Sequence, residues 1–352
     1  MRVLIATDAW KPQINGVVRT YERLSLEAPL LGAEVIFLSP EPFPTLPLPS
    51  YPEIRLALVG ESNVEHWYRQ TRPDFIHIAT EGPIGLRTRS WCLRHGHPFT
   101  SSYHTRFPDY LSARMPVPLS WGYALQRWFH NAGAGMMVAT PSLAIDLKAK
   151  GFRRLLPWTR GVDTGLFKPR HRQNRADSDP VFLYVGRIAV EKGIDSFLAL
   201  DLPGTKVVVG DGPQLDELRR KYPTVRFTGP LFDEALALEY AAADVFVFPS
   251  RTDTFGIVLL EAMASGLPVA ALPVTGPIDI VRHGETGCIN ADLRQAALQA
   301  LSLNRETVRR HALSFSWHNC ARVFLNNVFE ANRTAGHQPA SRPSSLQILA
   351  SG

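Results

Sequence analysis

The sequence predicts an α/β protein of two Rossmann-like domains, each built around a parallel sheet. Three observations carry that reading. The chain has 352 residues, more than one small core usually organises. Short, near-continuously apolar runs recur along it, as in strands buried on both faces. Helix-like stretches separate those runs, which is the βαβ pattern of a parallel sheet.

In the first half the strand candidates are Arg2 to Thr7, Glu34 to Ser39, Phe75 to Thr80, Phe99 to His104 and Gly135 to Thr140. In the second half they are Val181 to Val185, Lys206 to Gly210, Val225 to Thr228, Val245 to Pro249 and Pro268 to Ala271. The division falls near Lys168-Pro169, because Arg170 to Pro180 is polar, lacks apolar periodicity and reads as a linker. That linker holds Asp177-Ser178-Asp179, a superficial match to a metal-binding DxD motif that its setting makes accidental. The expected domains are residues 1–168 and 169–315, with a disordered, Pro- and Ser-rich tail over 338–352.

Composition narrows the class. A hydrophobic fraction of 45% and a charged fraction of 20% are ordinary for a globular protein. No apolar run reaches the ~18 to 20 residues that a membrane span needs. Met1-Arg2-Val3-Leu4-Ile5 is too short an apolar stretch for a signal peptide, so a cytoplasmic protein is expected. Cys92, Cys288 and Cys320 are widely spaced and read as reduced thiols, and no convincing cluster of metal ligands appears. Residues 1–168 carry 19 Lys+Arg against 13 Asp+Glu, a net of +6, whereas residues 169–352 carry 19 against 19. A basic half suits nucleic acid, an anionic membrane surface or an acidic substrate, or is compositional scatter. No nucleic-acid-binding pattern supports the first of these. No Gly-x-Gly-x-x-Gly opens either half, which argues against a dinucleotide dehydrogenase.

Three loops at strand ends carry the chemistry. Gly186-Arg187-Ile188-Ala189-Val190-Glu191-Lys192-Gly193 places two cations five residues apart where open α/β sheets bind ligands. It reads either as a diphosphate grip or as a turn followed by solvated charges. Ser250-Arg251-Thr252-Asp253-Thr254-Phe255-Gly256 leads into a helix over Ile257 to Ser265, stopped by Gly266 and Pro268. The first amides of that helix, near Gly256, Ile257 and Val258, would favour an anion. Glu261 lies among Leu259, Leu260, Ala262 and Met263, so it is expected to be half-buried and to need hydrogen-bond partners. Val209-Gly210-Asp211-Gly212-Pro213 adds a third turn, explained equally well by turn chemistry alone.

In this order and spacing these segments resemble family 4 of the retaining glycosyltransferases, of GT-B fold. The resemblance extends to Glu261-Ala262-Met263-Ala264-Ser265-Gly266-Leu267-Pro268-Val269, to Arg160-Gly161-Val162-Asp163, to Lys11-Pro12 with Asn15-Gly16-Val17-Val18-Arg19, and to Tyr103-His104-Thr105. It covers roughly residues 2 to 330. It implies two facing domains and a last helix, about 316–334, that crosses back to the first domain. It implies that Arg187 and Lys192 neutralise the diphosphate of a UDP- or GDP-sugar and that Glu261 takes the ribose hydroxyls. Asp253, where most of the family has Glu, would hold the transferred sugar, with Gly186, Gly210 and Phe255 shaping the site. Gly16 would approach the donor phosphate and His104 the sugar near its reacting carbon. The donor is a co-substrate, no metal or other cofactor is required, and front-face attack would retain configuration. The Asp-Thr-Phe-Gly form points to the glycolipid-synthesising and α-mannosyltransferase subgroups. A transferase acting on a soluble sugar or cell-envelope precursor and a nucleotide-sugar epimerase of the same architecture are the alternatives.

The acceptor belongs to the first domain, with Arg19, Glu81 and Arg106 as its candidate contacts. Glu81 reads either as a residue that orients or deprotonates the acceptor or as an ordinary loop carboxylate. Trp121, Leu125, Trp128 and Phe129 fall at i, i+4, i+7 and i+8, preceded by Tyr103, Phe107, Tyr110 and Leu111 and interspersed with Arg106, Arg114 and Arg127. Taken alone the stripe reads as core packing. Joined to the basic excess, it points to peripheral contact with an anionic membrane and to a lipid acceptor.

Overall fold

The computed structural model describes residues 1–13, 15–48, 51–112, 118–170, 179–251 and 253–336. Arg114, Thr252, Asp177-Ser178 and the expected tail 338–352 lie outside the described residues, as do the side chains of Tyr110 and Leu111. The chain divides into two compact units, Met1–Arg160 with the segment from Trp317 onward, and Gly161–Ser316. This division comes earlier than the polarity of the sequence places it. Val162 and Phe167 are buried in the second unit. The Val162 amide donates to the Phe315 carbonyl at 3.0 Å, Arg309 donates to the carbonyls of Phe167 and Thr164, and the Phe167 ring meets Tyr240 edge-on. Burial, not the onset of charged residues, sets the boundary.

The first unit holds a parallel sheet of six strands in the order β2-β1-β5-β6-β7-β8. These are β1 (Arg2–Ala6), β2 (Glu34–Leu38), β5 (Phe75–Ile78), β6 (Phe99–Tyr103), β7 (Gly135–Val138) and β8 (Leu155–Pro157). Beside them stands an antiparallel hairpin of β3 (Thr45–Leu48) and β4 (Tyr51–Ala57), absent from the sequence expectations, as was β8. One face of the sheet packs Leu4, Ile76, Ile78, Ile84, Trp91 and Phe129 into a core. The other is covered by the final helix, Trp317–Thr334. There Trp158 lies 4.9 Å from Phe324, donates from its indole to the Cys320 carbonyl at 3.1 Å, and is almost fully buried. Each such side chain contributes about 1.5–3 kcal/mol by leaving water, so the last helix is an integral part of this unit.

The second unit also holds six parallel strands, with a different strand order, β11-β10-β9-β12-β13-β14. Its strands are β9 (Val181–Val185), β10 (Thr205–Val209), β11 (Arg226–Gly229), β12 (Val245–Phe248), β13 (Val269–Ala271) and β14 (Gly287–Ile289). All pairings are parallel. Their apolar runs are buried because helices cover both faces. All three cysteines are buried thiols. Among the described residues no helix is long and apolar enough to cross a membrane.

Candidate active site

In the second unit β10, β9 and β12 are neighbours, so the loops leaving their carboxyl ends meet at one edge of the sheet. Backbone hydrogen bonds lock two of them together. The Gly186 amide donates to Val209, Ile188 to Asp211 and Gln214 to Ile188, at 3.0, 2.8 and 3.1 Å. Gly210 has φ +141°, and a Cβ there would lie 2.0 Å from the Gly186 carbonyl oxygen. Only glycine allows that approach. The third loop is tied in at Gly193, whose Cβ would stand 3.0 Å from the Pro249 carbonyl oxygen.

Two side chains singled out from the sequence meet here. Lys192 Nζ donates to Oδ1 and Oδ2 of Asp253 at 2.8 and 2.9 Å, and the two side chains are 24% and 16% exposed. The cation assigned to the diphosphate and the carboxylate assigned to the sugar therefore hold each other. Tyr184 lies beneath them. Its hydroxyl donates to the Arg187 carbonyl at 2.7 Å, and burial pushes its phenol pKa up, with the Asp253 charge adding to the effect. Arg187 itself is partly exposed.

The helix Ile257–Ala264 begins at Gly256, which has φ +86° and offers no side-chain cap to the first-turn amides. The preceding turn is held from outside, because a Cβ on Gly276 would lie 2.9 Å from the Phe255 carbonyl oxygen. Ile257 and Val258 are partly exposed and Phe255 is buried. Glu261 is buried more deeply than expected, at 2% exposure, and its Oε2 accepts from the Tyr240 hydroxyl at 3.0 Å. Sequence reasoning gave Ser250 no role. Its hydroxyl sits at the end of β12, 1% exposed, without a hydrogen-bond partner among the described residues. Only its place directly after an apolar strand could have flagged it.

The first unit's corresponding edge is built from side chains. Asp8, after β1, accepts from the amides of Ile84 and Gly85 and from the Thr80 hydroxyl at 2.8, 3.3 and 2.9 Å. It thus occupies the start of the helix Pro83–His95. Burial raises its pKa, against the lowering effect of those bonds. Asn15 Oδ1 accepts from the amides of Val17 and Val18, so the helix opening at Gly16 already has its own cap. His104 follows β6. Its Nε2 is 3.0 Å from the Tyr21 hydroxyl and its Nδ1 is 3.2 Å from Arg160 NH2. Arg160 can only donate, which makes Nδ1 the acceptor and leaves the proton on Nε2. Both ring nitrogens thus have protein partners, and burial holds His104 well below the usual histidine range. Arg19 is partly exposed on the helix that Gly16 opens. Arg106 pairs with Asp146 at 2.9 Å. Glu81, after β5, accepts on one oxygen from Gln126 and His130 at 3.2 and 3.0 Å.

Of the aromatic stripe only Phe129 is core. Trp121, Leu125 and Trp128 are 70%, 63% and 52% exposed, while the buried face of the helix Leu119–His130 is Tyr123, Gln126, Phe129 and His130. Periodicity alone favoured the wrong face because two of the buried residues are polar.

Comparison with known proteins agrees with this architecture. The family model "Glycosyltransferase Family 4" matches residues 14–166, and "Glycosyl transferases group 1" matches residues 179–304. A GDP-mannose-dependent alpha-mannosyltransferase of Mycolicibacterium smegmatis is 30% identical over 329 residues, 85% of this chain and 87% of that protein. The chain is a family 4 glycosyltransferase. The transferase also resembles the sulfoquinovosyl transferase SQD2 of Arabidopsis thaliana, 30% identical over 90% of this chain, and it spans 66% of that longer protein. An alpha-monoglucosyldiacylglycerol synthase of Streptococcus pneumoniae is 29% identical over 77% of this chain and 71% of its own length. Among solved structures, sucrose-phosphate synthase from Thermosynechococcus elongatus superposes with a TM-score of 0.75 at 20% identity, covering 95% of this chain and 99% of that one. This is the GT-B fold, and the transferase is an enzyme of the hexosyltransferase class. Its two units match the two family models in order, and the residues brought together at β9 and β12 lie within the second.

Proposed function

We propose that the enzyme moves a hexosyl unit, with retention of configuration, from a UDP- or GDP-sugar to a hydroxyl of a membrane lipid. One observation carries the donor half of this reading. The glycine-locked loops at β9 and β10 meet a helix start that has no side-chain cap, with Arg187 and Lys192 on the same edge. Uncapped amides and cations together suit a diphosphate. As the donor binds, its phosphates draw Lys192 from Asp253, and Asp253 is freed for sugar hydroxyls. In the reaction the bond from the anomeric carbon to phosphate oxygen breaks and a bond to the acceptor oxygen forms. Negative charge grows on the leaving diphosphate, where preorganised cations and amides contribute most. The phosphate takes the acceptor proton from the same face. This scheme needs no metal.

The lipid acceptor rests on the first unit's surface. Trp121, Leu125, Trp128 and Phe107 stand exposed, and residues 84–155 carry ten Lys and Arg against two Asp, a net of +8. Arg127, partly exposed on the same helix, reaches the Lys150 carbonyl, so cations stand beside the aromatic face. Such a face suits the interface of an anionic bilayer. It would make the enzyme peripheral on the inner face of the cell membrane. The names of the pneumococcal and mycobacterial relatives support a glycolipid or mannosyl product. Thermal shifts with a panel of UDP- and GDP-sugars test the donor, and a true donor at about 100 times its Kd should stabilise the protein by about 2.7 kcal/mol. Sedimentation with phosphatidylglycerol vesicles tests the surface. Protein left in the supernatant at low salt rules the lipid surface out.

A further inference from the structure

The helix Leu119–His130 has a second face, and it points at Glu81. Glu81 follows β5 at the ligand-bearing end of the sheet, with its side chain 32% exposed. Both of its hydrogen bonds, from Gln126 Nε2 and His130 Nε2, fall on Oε1. His130 is fixed in turn by Ser101, whose hydroxyl lies 2.9 Å from Nδ1. Oε2 is left for solvent or a ligand. Two further buried polar atoms here lack partners among the described residues. One is Gln126 Oε1, turned away because its amide must present Nε2 to the carboxylate. The other is the Tyr103 hydroxyl at the end of β6, whose ring lies 5.9 Å from that of His130. Each orphan costs about 1–3 kcal/mol unless something satisfies it. Tyr103 supplies a donor, while Glu81 Oε2 and Gln126 Oε1 supply acceptors. That set is complementary to a neutral hydroxyl group, which both donates and accepts.

We propose that Glu81, Gln126 and Tyr103 form the subsite that receives the acceptor's hydroxyl, with His130 as a positioning residue that fixes Glu81. The inference rests on the transferase reading above and deepens it. The ligand class is an uncharged hydroxyl-bearing group, as in a glycerol lipid or a free sugar. The helix that turns Trp121 and Trp128 outward is the one that holds Glu81, so a lipid lying against it reaches the subsite along a single element.

The test uses the full chain and whichever of UDP-glucose and GDP-mannose gives a thermal shift. One arm offers phosphatidylglycerol vesicles containing diacylglycerol, the other soluble methyl mannoside. Glu81→Gln should lower kcat/KM for the accepted arm by about tenfold to a hundredfold, as expected for a bond to a charged group. Tyr103→Phe should raise the acceptor KM by about fivefold to tenfold, with Tm unchanged or higher because an orphaned hydroxyl is removed. His130→Gln, which keeps an N–H for Glu81, should retain more activity than His130→Phe. In the Glu81→Gln background His130→Phe should have no further effect. Throughout, the donor-induced thermal shift stays as in the parent. Activity on either arm that responds in this way supports the subsite. Unchanged acceptor kinetics in both Glu81→Gln and Tyr103→Phe, with the donor shift intact, overturns it. Absence of any donor shift in the parent overturns the transferase reading instead.

Discussion

Both units hold six parallel strands, yet the centres of their ligand-bearing edges are finished differently. In the first unit the starts of three helices carry a protein cap. Asn15 serves the helix from Gly16, Asp8 the helix from Pro83 and Thr140 the helix from Pro141. In the second unit the central turns after β9 and β12 end in Gly193 and Gly256, which have no side chain to give, while Asp292 caps the helix after the outer strand β14. A helix start that carries its own carboxylate has no need of an external anion, and one that begins at a bare glycine is left to find one. The difference separates the chemistries. The second edge is suited to a diphosphate and the first, with its hydroxyls, amide and imidazoles, to a neutral polar group.

The comparison breaks most visibly if the second edge does not bind phosphate. Lys192→Ala or Arg187→Ala should each lower transfer by about 10² to 10³, as for one preorganised donor, and shrink the donor-induced thermal shift. A loss below threefold in both would remove the diphosphate from this edge. Asp8→Ala strips the first edge of its internal anion. It should cost about 1–3 kcal/mol, read as a fall in Tm, because the amides of Ile84 and Gly85 lose their acceptor. The donor shift should persist, since Asp8 lies in the first unit and the proposed diphosphate grip in the second. Acid sharpens the contrast further. Burial lowers the pKa of His77 from 6.5 to about 3, so the folded unit binds fewer protons than the unfolded chain. The stability this group confers is present above about pH 6.5 and drains away as pH falls towards 3. Melting curves over that window should show it, and His77→Asn should flatten the dependence. The smallest effect concerns the metal. Saturating EDTA should change transfer by less than about twofold, because in the proposed scheme cations and helix-end amides take the place of a metal.

Much of this was legible in the residues. Ten strands announce themselves by apolar runs, because parallel strands are buried on both faces. The shorter β8 and β14 do not, since Arg153 and Arg154 precede one and Gly284 to Gly287 crowd the other. The hairpin of β3 and β4 carries prolines and lacks a clean alternation. Loop glycines marked where backbones touch, because only glycine fits there, as Gly210 does at Gly186. What stayed hidden was pairing across sequence distance. Nothing local announces that Lys192 clasps Asp253, that Glu81 leans on His130, or that Gln126 and His130 are interior while Trp121 faces out. Those depend on which strand ends become neighbours.

If Lys192 and Asp253 serve the donor as proposed, the clasp between them sets an order of events. A free hexose carries no charge with which to pry the two apart, so it would find the carboxylate already engaged. A nucleoside diphosphate would compete for the lysine directly, and only then would Asp253 become available. Recognition of the sugar would be conditional on arrival of the phosphates, and free hexose should inhibit the enzyme little.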